Sequence, residues 1–390
     1  MMPAAEVILW VSMFLVAHTY FFYPALLAVL RGRLRKPVAR ADITPSVSLL
    51  IAAFNEEKCI RGKIENSLAL DYPKDRLEII VASDCSSDAT DDIVREYADR
   101  NVRLSRLDHR GGKTVARNHA VTQAKGEILV FSDAPTIYRP DAIRMLVRNY
   151  VDASIGCVTG EVVYTNDENS AVGEGGSLYW RYESWIKRIE SDIGSVLGAA
   201  GCIYSMRREL YMPFNEGGGL SLDDDFLTPL NLYTMGFRSV MDEEAVSIEK
   251  ASKGRDEEFR MRSRVITRAI SGLVFMRRIL NPFKYPLYSF ELFSHKVLRW
   301  AAPVFMMAAL FANAAIFAGP DSAPVYAVLL GLQCFFYGAA LAGLAMDRLG
   351  LPKLKLFYVP YYFCVVNGAV LNGVWKFMIG RRDRVWTPIR

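Results

Sequence analysis

The sequence predicts an open, mostly parallel α/β sheet with helices on both faces, joined to transmembrane and interfacial α-helices. Three observations lead there. Residues 7–30, 301–318, 323–346 and 356–375 contain no Asp, Glu, Lys or Arg. Between residues 46 and 160, apolar strand-like runs alternate with helix-like segments, the pattern of a parallel sheet. Asn55 with Glu56, Asp84 and Asp133 follow three of those runs, where ligands of such sheets gather.

A hydrophobic share of 52% over 390 residues suggests an oily soluble protein, but all 47 basic and 42 acidic residues lie outside the four windows. Each window is about as long as a helix needs to cross a bilayer. This excludes a simple cytosolic enzyme, a disordered chain and a pure membrane bundle. The net charge is only +5, and Arg31, Arg33, Arg35, Lys36 and Arg40 cluster behind the first window. That placement fits positive-inside topology. No basic stripe with interleaved aromatics marks a nucleic-acid partner. Cys59, Cys85, Cys157, Cys202, Cys334 and Cys364 show no C-x-x-C spacing, so free thiols in a reducing compartment are expected. The first window is too long for a signal-peptide core and lacks a basic segment ahead of it; it reads as a retained anchor.

The elements follow in order. Residues 47–53 are a continuous apolar run, expected as a strand buried on both faces. Residues 57–68 read as a helix, 77–83 as a strand, 88–97 as a helix with Asp88 as its N-cap. Residues 102–107 form a weaker strand, 113–124 a helix, and 128–132 a strand. Residues 140–150 read as a helix opened by Pro140. Beyond 160 come the aromatic residues Tyr179, Trp180, Tyr182 and Trp185, a Gly-Ala-Ala-Gly stretch at 198–201, and Asp223, Asp224 and Asp225 in succession. Residues 255–299 look amphipathic, with Arg260, Arg264 and Arg268 on one helix face, as in helices that lie in a membrane interface. His18 and His295 fall in membrane or interface segments without partners and are not expected to be catalytic.

The segments VSLLIAAFNE (47–56), VASDCSSDAT (81–90), GKTVARNHA (112–120) and ILVFSDAPTIY (128–138) resemble those of family 2 glycosyltransferases of the GT-A fold. So does Asp224-Asp225 followed by Gly236, Phe237 and Arg238. With one N-terminal and three C-terminal apolar windows, the layout is similar to chitin-oligosaccharide, hyaluronan and exopolysaccharide synthases. The resemblance implies an inverting transfer of a sugar from a nucleotide-sugar, most often a UDP-sugar. It makes Asp84 a ligand of the nucleotide base or ribose and turns Asn55, Glu56 and Lys113 toward the donor. It makes Asp133 the first ligand of Mg²⁺ or Mn²⁺ on the diphosphate. The second carboxylate of that D-x-D pair is replaced by Pro135, so metal dependence stays open. Asp225, supported by Asp224, is the expected general base, since neighbouring carboxylates raise one another's pKa. Arg264 matches the Arg of the Q-x-x-R-W motif of processive relatives, with Met261 and Val265 where Gln and Trp would stand. It would contact the departing diphosphate, or else lipid headgroups. Tyr179, Trp180 and Trp185 would form an acceptor platform, or else a core. Trp386 is an expected interfacial anchor.

The expected organisation is an anchor with its basic stop at 1–40, a transferase domain at 45–254, interfacial helices at 255–299, three membrane helices at 300–380 and a basic tail at 381–390. The localisation expected is a plasma (bacterial inner) membrane, with the catalytic domain on the cytoplasmic side. Four spans place Lys376, Arg381, Arg382, Arg384 and Arg390 outside, against the charge rule. Pro360, Gly368 and Gly373 are where the last helix would break into an interfacial or re-entrant element. Three functions stand: a synthase extending a surface or exported glycan, transfer of one sugar to a polyprenyl-lipid acceptor, or a non-catalytic scaffold that binds nucleotide-sugar. The sequence leaves the oligomeric state open.

Overall fold

The computed structural model describes residues 4–165, 171–214, 222–250, 254–320, 322–351 and 354–381, with the backbone alone for 171–178. Strands β1 (Val47–Ala53) and β2 (Leu77–Ser83) have the expected bounds, and β3 (Val102–Arg106) and β4 (Ile128–Asp133) differ at their ends by one residue. All seven residues of β1 are buried. Val47, Leu49 and Ile51 join one hydrophobic core and Leu50 joins a second on the opposite face. A continuous apolar run is what a strand covered on both faces requires.

The helices between the strands are shorter than expected: Ile60–Leu68, Thr90–Arg95, Lys113–Val121 and Ala142–Val147. Side chains and carbonyls near their starts are engaged elsewhere. Asp88 Oδ1 accepts from the Thr90 amide at 3.0 Å, and its Oδ2 accepts from the Glu57 amide at 3.2 Å. Asp88 therefore fastens the loop after β1 to the one after β2. The Pro140 carbonyl accepts from the Asp71 amide at 2.8 Å, which ties Pro140 to the neighbouring loop.

The chain then adds β5 (Ile137–Tyr138), β6 (Ile155–Thr165), β7 (Ile203–Arg207) and β8 (Arg238–Lys250). Among the described residues they extend the sheet in the order β3-β2-β1-β4-β7-β6-β8-β5. The β3, β2, β1 and β4 half is parallel, and β7 runs antiparallel to β4. The carboxyl ends of the parallel strands β1, β2 and β4 lie on one edge, and Arg117 ties the start of the helix Asp224–Thr234 to the end of β4 there.

Three helices among the described residues are long and apolar enough to cross a membrane: Ala4–Leu34, Pro286–Phe317 and Pro324–Arg348. The second reaches further back than the 301–318 window, because Pro286–Leu292 continues through a π-turn at Phe293–Val297 into Leu298–Phe317. The fourth window lies in an unbroken helix, Lys355–Met378, which carries Pro360 inside it. Its buried residues include Tyr358, Tyr361, Tyr362 and Asn367. It packs along the charged helix Arg255–Phe275. Gly373 permits the approach, since a Cβ there would lie 2.8 Å from the Ser263 carbonyl oxygen. Trp386 lies outside the described residues.

A buried charge network joins the candidate membrane helices to the globular part. Glu183 pairs with Lys296 at 3.2 Å, with Arg299 and with His295 Nε2 at 3.1 Å. His295 Nδ1 and the Tyr23 hydroxyl both meet Glu190 Oε1, at 2.6 and 2.8 Å. His18 Nε2 lies 3.0 Å from Ser294 Oγ. Both histidines do have partners, contrary to the sequence reading, and those partners are structural. Burial pushes the Glu183 carboxyl up, but Lys296, His295 and Arg299 outweigh it and hold the group well below its ordinary range.

Candidate active site

Two loops and a helix start meet at the carboxyl edge. Asn55 and Cys85 adopt left-handed backbone, φ 54° and 58°, which turns the chain sharply after β1 and β2. Ser87 N donates to Asn55 Oδ1 at 2.8 Å, and Glu56 N donates to Thr90 Oγ1 at 2.7 Å. These residues shape the loops on which Asp84 sits. Asp84 is 1% exposed. Its Oδ1 accepts from the Gly111 and Gly112 amides at 2.7 and 2.9 Å, while Oδ2 has no hydrogen-bond partner and lies 3.8 Å from Arg110 Nε. Burial pushes this carboxyl up, against the pull of the two amides and Arg110. Arg110 lies over the Phe54 ring at 3.6 Å. Gly112, at φ 91°, lets both amides turn inward.

Asp133 ends β4 and faces the helix Lys113–Val121. Lys113 Nζ lies 2.6 Å from Asp133 Oδ1 and 2.7 Å from Oδ2. Arg117, one turn on and fully buried, donates to Asp133 Oδ1 at 3.0 Å, to Asp224 Oδ2 at 2.9 Å and to the Gly201 carbonyl at 2.8 Å. One guanidinium thus joins the end of β4 to the acidic turn and to the loop before β7.

The acidic turn opens the helix Asp224–Thr234, where carboxylates favour the positive end of the helix dipole. Its three members differ. Asp223 pairs with Arg268 at 3.1 Å. Asp224 accepts from Arg117 and from the Tyr204 hydroxyl at 2.8 Å. Burial would raise the Asp224 carboxyl, but Arg117 and Lys113 hold it below its ordinary value. Asp225 has neither cation as a direct partner, and burial with the charges of Asp223 and Asp224 pushes it up to about 7. Its backbone carbonyl accepts from Ala199 N at 2.9 Å. A Cβ at Gly201 would fall 2.1 Å from Asp225 Oδ2, so this carboxylate rests on bare backbone. Side by side, one carboxylate is kept ionised and its neighbour is poised to exchange a proton near neutrality.

The expected acceptor residues divide. Trp180 stacks on Tyr164 at 5.1 Å, Tyr179 meets Trp180 edge-on at 5.5 Å, and Arg262 lies over Tyr179 at 4.2 Å. Trp185 does not join them: it is 39% exposed, on another face of the same helix. Arg262 takes the buried position in this cluster, paired with Glu258 at 2.6 Å and with the Tyr362 hydroxyl at 2.9 Å. Arg264 is only partly buried. Helical spacing explains the split, since residues two apart point to different sides.

Sequence reasoning missed Arg117, Tyr204, Arg110 and Gly201. Arg117 was within reach of it, because an Arg in the apolar face of a helix beside a buried strand demands acidic partners. The Gly-Ala-Ala-Gly stretch was visible without a role. Its role depends on which side chain packs against it.

Residues 48–212 match the model of glycosyl transferase family 2. The chain is 37% identical over 123 residues to a probable glycosyltransferase, YdaM, of Bacillus subtilis, covering 30% of this chain and 29% of the relative. It is 27% identical over 207 residues to the poly-β-1,6-N-acetyl-D-glucosamine synthase of Staphylococcus aureus, covering 52% of this chain and 50% of that protein. The matches thus span half or less of these relatives' length. Among solved structures, the mannosyltransferase PcManGT of Pyrobaculum calidifontis, in complex with GDP-Man and Mn²⁺, superposes with a TM-score of 0.71 at 23% identity. That match covers 96% of this chain and 100% of PcManGT. It establishes the GT-A-like fold.

Proposed function

We propose, from the match of residues 48–212 to glycosyl transferase family 2, an inverting transfer from a nucleotide-sugar with Asp225 as general base. The observation behind it is the divided acidic turn, with Asp225 pushed up to about 7 beside an ionised Asp224. A UDP-sugar is the proposed donor. The acceptor hydroxyl attacks the anomeric carbon from the side opposite the diphosphate. The new C–O bond forms as the bond to the diphosphate breaks. The hydroxyl proton passes to Asp225, and the nucleoside diphosphate leaves with the electron pair. Oxocarbenium character builds at the sugar, and fixed cations meet the charge on the leaving group. Incubation of purified protein with a panel of nucleotide-sugars tests this, with nucleoside diphosphate release expected for at least one. Nucleotide binding without release for any donor would favour the scaffold reading instead.

Asp84 is assigned to the donor's base or ribose through its unpartnered Oδ2. Asp84→Ala is expected to weaken nucleoside diphosphate binding by about 1–3 kcal/mol, the cost of a lost hydrogen bond to a charged group. Calorimetric titration reads it, with little effect on kcat at saturating donor.

A growing polysaccharide or oligosaccharide is the proposed acceptor, in line with the named activity of the Staphylococcus aureus relative. Met261 and Val265, in place of Gln and Trp, favour the second reading of a single transfer to a polyprenyl-lipid acceptor. Product length decides between the two. Tyr179, Trp180 and Arg262 are the residues proposed to face that acceptor.

For Mg²⁺ or Mn²⁺, the residues present form a poor ligand set. Asp133 offers one carboxylate, both of whose oxygens are taken by Lys113, and Pro135 has no side-chain oxygen. Hard divalent ions need several oxygen ligands.

The proposed topology has three spans, Ala4–Leu34, Pro286–Phe317 and Pro324–Arg348, with residues 45–254 in the cytoplasm. Lys355–Met378 then lies in the interface along Arg255–Phe275. This arrangement brings Lys376, Arg381, Arg382, Arg384 and Arg390 inside and removes the conflict with the charge rule. A reporter fused after Arg390 is expected to be active only if it is of the cytoplasmic type. Activity of a periplasmic-type reporter would restore four spans.

A further inference from the structure

The Asp133 carboxylate already holds a cation where a metal-binding carboxylate would hold its ion. Lys113 Nζ sits astride both of its oxygens, at 2.6 and 2.7 Å, and Arg117 adds a second cation at 3.0 Å. The pair remains within reach of solvent, with side-chain exposures of 16% for Lys113 and 19% for Asp133. Lys113 and Arg117 between them neutralise Asp133 and Asp224, so Asp133 carries no uncompensated charge. A divalent cation brought to the same oxygens would have to displace the Lys113 ammonium. The neighbouring Glu249 accepts from Thr136 Oγ1 at 2.6 Å. No group of three His, Cys, Asp or Glu among the described residues is arranged to hold a metal.

We propose that the Lys113 ammonium is the resident cation of this site, and that donor binding and transfer proceed without a divalent metal. Arriving phosphate oxygens take over one of the hydrogen bonds that Lys113 gives to Asp133 and leave the other. Asp133, fixed from behind by Arg117, keeps the ammonium in place. As the bond between the anomeric carbon and the diphosphate breaks, the leaving oxygen takes the electron pair and the ammonium neutralises it. Arg110, over Phe54 and near Asp84, is a second cation on the same edge. The proposal rests on reading the edge from Asp84 to Asp133 as the donor site, and it departs from the Mn²⁺ bound by PcManGT.

The test is calorimetric titration of the purified full chain with UDP and with GDP, in excess EDTA and again with Mn²⁺ or Mg²⁺. Wild-type affinity is expected to agree between the two conditions within about threefold. Lys113→Met is expected to lose about tenfold to hundredfold in EDTA, as for a charge-assisted hydrogen bond, with Lys113→Arg retaining most of the affinity. A thermal melt of each variant separates loss of binding from loss of folding. Binding lost in EDTA and restored by Mn²⁺ overturns the proposal while the donor site stands. Lys113→Met that binds as wild type in EDTA also overturns it. If neither nucleotide binds wild type in either condition, the donor-site reading falls and the proposal with it.

Discussion

Asp225→Asn is expected to lower kcat by about 10²–10⁴-fold, the usual contribution of a positioned general base, while nucleoside diphosphate affinity stays close to wild type. The amide keeps the shape of the side chain and its place against Gly201 but cannot accept the proton. The wild-type enzyme carries the matching signature in its pH profile. Because Asp225 is pushed up to about 7, its base form is lost as the pH falls through that value, and kcat should fall on the acid side with it. Stability carries the opposite sign. A carboxyl whose folded pKa lies above its ordinary 3.8 binds a proton in the folded state that the unfolded chain releases. Folding therefore loses stability as the pH rises from 3.8 to about 7. Asp225→Asn removes that loss, so its thermal midpoint should exceed wild type by more at about pH 8 than at about pH 5. Turnover that survives Asp225→Asn would assign the proton to another group.

Arg117→Leu is expected to cost about 3–5 kcal/mol of stability, because it strips the shared partner from two carboxylates in a closed site. Asp133 keeps Lys113, and among the described residues Asp224 keeps the Tyr204 hydroxyl, a long contact from Thr114 and the charge of Lys113. The loss should appear as a large drop in thermal midpoint together with loss of turnover. The Asp224 carboxyl would move up once its main cation is gone, and the division of labour with Asp225 would be blurred. Arg117→Leu as stable and active as wild type would mean that the link between the end of β4 and the acidic turn is dispensable.

Much of the scaffold was legible because its elements obey local rules. The bounds of β1 and β2 follow from continuous apolar runs ended by polar residues. The helix starts were harder, since Asp88 and Pro140 spend their groups on neighbouring loops rather than on lengthening a helix. The last apolar window has a mixed character: it carries no charge, but Tyr358, Tyr361, Tyr362 and Asn367 are buried along it.

The site shows the same division. Asp84, Asp133 and Asp225 stand at strand ends or a helix start, where sequence order suffices to bring them to one edge. Arg117 and Gly201 act through contacts between segments far apart in the chain, and no local pattern reports these. Arg262 and Arg264 lie on different sides of one helix, and Arg262 is the one that meets Tyr179. That contact depends on the register of Arg255–Phe275 against its neighbours, which only the folded chain supplies.

The central claim is an in-line transfer at this edge, and the stereochemistry of the product reports on it most directly. Proton NMR of the purified chain turning over an α-linked UDP-sugar should show the donor's anomeric signal replaced by that of a β-linked product. A product that retains the α configuration, or a donor that persists unchanged with acceptor present, would contradict direct displacement assisted by Asp225.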